Sequence, residues 1–138
     1  MLSEPEVMET LQSMLDRLAP ARFQVRERKN LGTSVLGKPA DLEIRQTAGT
    51  RSPLMAVEIT DLNTTQLVGA VVRLYYDTCP IKLLIVGNQN TPLRGTAQCE
   101  KLFARQYGQD DIQNTPARVA AFTDHAAIEK ALTDLRFL

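Results

Sequence analysis

Across residues 38–60 the chain alternates apolar and polar side chains in two runs, Asp41-Leu42-Glu43-Ile44-Arg45 and Met55-Ala56-Val57-Glu58-Ile59-Thr60. Successive side chains of a strand point to opposite faces, so Leu42 and Ile44 share one face while Asp41, Glu43 and Arg45 share the other. The second run sorts in the same way, with Met55, Val57 and Ile59 against Ala56, Glu58 and Thr60. Gly49, Ser52 and Pro53 lie between the runs and favour a hairpin-like return. Strands joined in this way can bring Asp41 and Glu58 together on one face. Two close carboxylates can hold a divalent cation, the simplest way to activate water against a phosphodiester. The alternative is two solvent-facing acids on an amphipathic sheet. The spacing of Glu43 to Arg45 points to a surface ion pair of small worth.

The flanking segments extend this pattern into an α/β chain. Ser3 can cap a first helix, with Glu6 at the capping-box position and Pro5 in the first turn. Val7, Met8, Leu11, Met14, Leu15 and Leu18 then keep helical spacing until Pro20. Residues 23–28 alternate as a strand, with Phe23, Val25 and Glu27 on one side. From Thr64 the period changes, and Leu67, Ala70, Val71 and Leu74 form a helical stripe capped by Asn63 or Thr64. Ile81-Lys82-Leu83-Leu84-Ile85-Val86 is nearly all apolar, as expected of a central strand covered on both faces. A weaker helix is expected over 96–107, a short strand over 118–123, and a last helix capped by Asp124. Three successive strands before the first crossover argue against a plain Rossmann or flavodoxin arrangement. The expected fold is α/β, a mixed central sheet with helices on both sides.

Length and charge narrow the function classes. A chain of 138 residues that is 43% apolar fits one domain spanning 1–138. Sixteen basic and sixteen acidic residues cancel, which argues against strong non-specific nucleic-acid binding but leaves room for a local basic patch. Cys79 and Cys99 have no metal or redox spacing, and a single histidine, His125, excludes a histidine-rich metal site. With no signal-like start and no long apolar run, the expectation is a cytoplasmic protein with reduced thiols and no membrane association.

The order helix, three strands, helix, strand, with an acid on each of the second and third strands, resembles the PD-(D/E)xK, or restriction-endonuclease-like, nuclease superfamily. The resemblance covers roughly residues 4–88, the family's α-β-β-β-α-β core, here followed by a C-terminal α-β-α extension. In the family an aspartate opens the second strand, usually after a proline, and Pro39-Ala40-Asp41 matches with one residue inserted. The acid and lysine of the third strand correspond to Glu58 and Thr60. One recombination-nuclease branch carries a glutamine on the next helix, matched by Gln66, and a tyrosine four residues on, where this chain has Ala70. Glu6 or Glu9 would be the first-helix acid of some members.

The resemblance implies Mg2+ bound by Asp41, Glu58 and the Ile59 carbonyl, and a catalytic set of Asp41, Glu58, Thr60 and Gln66. Thr60 is the departure. The family's lysine orients water and stabilises developing negative charge, whereas a hydroxyl positions water without charge. Such electrostatic stabilisation is worth about 2.7–4 kcal/mol per donor. Lys38 and Arg73 are the candidate replacements. The implied activity is Mg2+-dependent hydrolysis of DNA; the alternative is a nuclease-derived module that no longer cuts and binds nucleic acid or a protein partner. Small nucleases of this class often pair to cut two strands, so a homodimer is a further expectation.

The basic residues Arg22, Arg26, Arg28 and Lys29 cluster before a glycine-containing loop. With Lys38 and Arg73 they are candidate phosphate contacts, or else a solvated edge strand blunted by charge. Gln66, Arg73 and Tyr76 share one polar sector of their helix, either a groove lining or its wet side. Tyr75 and Tyr76 read as partial core.

Overall fold

The computed structural model describes residues 3–28, 40–48, 53–60, 64–87 and 92–134, and for 64–66 and 92–95 the backbone alone. Helix α1 (Glu4–Leu18) starts under the expected cap, with Ser3 Oγ accepting from Glu6 N, and ends just before Pro20. Strands β1 (Phe23–Glu27), β2 (Leu42–Gln46) and β3 (Met55–Thr60) follow, then helix α2 (Thr64–Tyr76), strand β4 (Ile81–Val86), helix α3 (Pro92–Gln106), strand β5 (Ala117–Ala121) and helix α4 (His125–Thr133).

The strands form one sheet in the order β1-β2-β3-β4-β5. β1–β2 and β2–β3 are antiparallel, with Val25 opposite Ile44 and Leu42 opposite Val57. β3–β4 and β4–β5 are parallel, with Glu58 beside Leu84 and Leu84 beside Val119. Antiparallel neighbours can be joined by a short return, whereas each parallel pair needs a crossover, which α2 and α3 supply. The sheet is therefore mixed.

Alternation along the strands builds a core on each face. On one, Phe23, Val25, Leu42, Ile44, Met55, Val57, Leu83 and Ile85 meet Leu11 and Leu15 of α1 and Ile128 and Leu132 of α4. On the other, Ala56, Leu84, Val86 and Ala117 meet Leu67, Val71 and Leu74 of α2 and Cys99 and Phe103 of α3. β4 is buried on both faces apart from its first residue, as its composition predicts. Asp124 caps α4 through Ala127 N, also as expected.

Three features differ from the sequence expectation. Strand β5 spans Ala117–Ala121 and so ends two residues before the expected 123. Helix α3 begins at Pro92 rather than at 96, because proline at the first helical position forfeits only an N–H that has no intrahelical partner. A 3-10 turn, Ile112–Asn114, precedes β5, capped by Asp111 and anchored by the buried Ile112.

Candidate functional site

The register Leu42–Val57, carried one residue outward, sets Asp41 across from Glu58 on the face that carries Ala56. The side chain of Asp41 takes over where the β2 ladder stops: its Oδ2 accepts from Ile59 N at 2.9 Å. Asp41 therefore lies against the peptide that follows Glu58. The direction of that peptide comes from the β3–β4 ladder, where Leu54 O and Thr60 O accept from Ile81 N and Gly87 N. Even-numbered residues of β3 thus turn to β4, and the N–H and C=O of Ile59 turn to the β2 side, toward Asp41.

Glu58 is 2% exposed, and Arg73 of α2 reaches it, Nη2 to Oε1 at 3.0 Å, while Arg73 itself remains 29% exposed. Burial of a carboxylate is tolerable only with such a partner. The helix makes room for it. Gly69 lies one turn before Arg73, and a Cβ there would sit 3.2 Å from Arg73 Nη1. An interior helical glycine costs about 1 kcal/mol against alanine, and here the vacated space is where the guanidinium lies. Arg73 Nε is buried without a hydrogen-bond acceptor among the described residues.

The other predicted residues are spread around this pair. Thr60 is 8% exposed, on the same face as Glu58. Arg26 stands on the exposed edge strand opposite Glu43, and its Nε donates to Gln24 Oε1. Arg28 is drawn into the fold: only 10% of its side chain is exposed, and its guanidinium meets Asp77, Glu43 and Cys79 Sγ. Asp77 Oδ1 in turn accepts from Cys79 N. Arg28 thus ties the end of β1 to the α2–β4 turn. Sequence reasoning missed this network; the signal available was Asp77-Thr78-Cys79-Pro80, a stretch suited to an Asx-type turn. Arg45 pairs with Glu43 at 2.8 Å, as its spacing predicts, but the two side chains are only 22% and 13% exposed, so the pair is not the surface one expected. Lys29, Lys38 and the side chain of Gln66 lie outside the described residues. Tyr75 is half-buried with its ring edge-on to Tyr107, but Tyr76, expected as partial core, is 52% exposed.

The carboxylates, the Ile59 carbonyl and the Thr60 hydroxyl are hard oxygen donors, the kind that suits magnesium. The charge is less favourable. Unit charges about 4 Å apart interact by about 4 kcal/mol at an effective dielectric of 20, and a divalent ion doubles this. Arg73 on Glu58 therefore opposes a cation at the same carboxylate. Among the described residues no group of three or more His, Cys, Asp and Glu is placed to hold a metal.

No protein-family model, curated protein or solved structure matches this chain.

Away from these acids, an open cleft of about 400 Å3 lies beside the end of β5, lined by Thr96, Glu100, Val119, Thr123, Asp124 and Ala127 among others. Burial, with Asp111 adding to it, pushes the Glu100 carboxyl up, and Arg118 partly offsets this. Among the described residues no helix is long and apolar enough to cross a membrane.

Proposed function

We propose that this chain is a nuclease-fold module of the restriction-endonuclease-like kind, with a Mg2+-dependent phosphodiester hydrolase site at Asp41, Glu58 and Arg73. The observation that carries this reading is the Asp41–Ile59 hydrogen bond, which sets one carboxylate against the peptide following the other. Asp41, Glu58 and the Ile59 carbonyl are the groups that would hold magnesium. The ion would orient a water, make its proton easier to remove and neutralise charge on the phosphate.

The chain's own residues would do the rest. Arg73 is the cation that Thr60 is not: it reaches the site from α2 instead of from β3, and a guanidinium fork suits phosphate oxygens. Thr60, on the face of Glu58, would position water. Arg26 on the exposed edge of the same sheet face would hold the nucleic-acid backbone, as phosphate contacts position without reading sequence. Arg28, already bound by Asp77 and Glu43, would shape the sheet edge and not touch substrate.

The second reading, a module that binds DNA or a protein partner without cutting, is favoured by Thr60 and by the hold of Arg73 on Glu58. One experiment separates them. Mg2+ and Mn2+ are titrated by calorimetry, and cleavage of single-stranded, duplex and branched DNA is assayed beside Glu58→Ala. The hydrolase reading expects metal binding and cleavage that both vanish in the variant. DNA binding with no metal uptake and no cleavage would leave the second reading.

A further inference from the structure

Resting on the metal-site reading above, we propose that Arg73 is a latch on Glu58, released when a nucleic-acid phosphate draws the guanidinium away, so that substrate and divalent cation bind cooperatively. The geometry provides each part. The pair is asymmetric: Glu58 is fixed in a central strand at 2% exposure, whereas Arg73 is 29% exposed at the end of a long, flexible side chain. Only one partner can leave. Its resting place is specific, over Gly69, where any larger residue would crowd Nη1. That resting place is also incomplete, because Nε is buried with no acceptor among the described residues. A phosphate offers a planar guanidinium paired oxygen acceptors and so can complete what Glu58 leaves undone.

Departure of Arg73 removes one positive charge from beside Glu58 and Asp41. The same two carboxylates thus discriminate against a cation when the protein is alone and favour one when substrate is present. Because coupling between two ligands is reciprocal, the cation must raise nucleic-acid affinity by the factor that nucleic acid raises cation affinity. A purely structural ion pair would also oppose the cation, but it would not couple cation binding to nucleic acid.

The test measures Mn2+ binding by electron paramagnetic resonance, with and without a phosphorothioate DNA duplex, for the wild type, Arg73→Gln, Gly69→Ala and Glu58→Ala. The expected result is an affinity for Mn2+ alone about tenfold higher in Arg73→Gln, within the usual range of coupling. DNA should raise Mn2+ affinity in the wild type and not in Arg73→Gln. Gly69→Ala keeps the charge and favours the helix, so it stays folded even if Arg73→Gln does not. Its Cβ crowds the guanidinium, and a smaller shift in the same direction is expected. Equal, Glu58-dependent Mn2+ affinities in all but Glu58→Ala, unmoved by DNA, would overturn the latch and leave the metal site standing. No Mn2+ uptake by any protein, with or without DNA, would overturn the metal site and the latch together.

Discussion

The Glu58–Arg73 pair concentrates the energetics of the site in two side chains. A carboxylate at 2% exposure depends on its partner, and removing one member of a buried pair costs about 3–5 kcal/mol because the other charge is stranded. Arg73 is 29% exposed, so water reaches the pair and the lower end of that range applies. Arg73→Met is therefore expected to lower stability by about 3 kcal/mol, while Glu58→Met together with Arg73→Met costs less than the sum of the two single changes, since neither member of the pair is left without the other. Urea unfolding of the two single variants and the double variant measures this. Additive losses would mean that the residues do not interact. The same reasoning explains why Arg28 is a poor candidate for substrate: its guanidinium already serves Asp77 and Glu43.

At the scale of elements, the end of the β2 ladder is completed by a side chain. Ile59 N lies beyond the last β2 partner and is satisfied by Asp41 Oδ2. Asp41→Ala is expected to cost about 1–3 kcal/mol, the penalty for a backbone donor left without its acceptor. Amide hydrogen exchange at Ile59 should accelerate more than exchange at Val57, which stays in the ladder. Equal protection in both proteins would show that the contact does not hold the strand. Alternation alone revealed β2 and β3 and put Asp41 and Glu58 on one face, because period two is a local property. It could not reveal Arg73 as the partner of Glu58. The helical period placed Arg73 in a polar sector, but which strand residue that sector meets depends on how α2 packs across β3 and β4. The start of α3 was hidden for another reason. Its first turn, Pro92-Leu93-Arg94-Gly95, carries a glycine and no acidic residue, so neither propensity nor dipole complementarity marks it.

The molecule as a whole buries several groups that ionise only in alkali, and their combined effect is testable. Burial, with Asp77 adding to it, pushes the Cys79 thiol up to about 12. Burial pushes the Cys99 thiol up to about 11, and the Tyr107 hydroxyl, packed on Tyr75, to about 12. In the unfolded chain the thiols ionise near 9 and tyrosine near 10. Between those values the unfolded state has lost protons that the folded state keeps, so stability falls as the pH rises. Each group contributes at most about 1.4 kcal/mol per pH unit within its window. Lys82 acts in the opposite direction. Burial lowers its pKa, so the unfolded state holds that proton longer, and loss of the proton in the folded state relieves a buried charge. Three groups act against one, and the stability of the wild type is expected to decline steadily from about pH 9 upward. Cys99→Ala will be less stable at neutral pH, because a cavity replaces a fully buried side chain. Its decline with pH should nevertheless be shallower, by up to about 1.4 kcal/mol per unit, and its urea-unfolding curves should converge on those of the wild type above pH 9. Parallel pH profiles for the two proteins would show that the Cys99 thiol ionises as readily inside the fold as outside it.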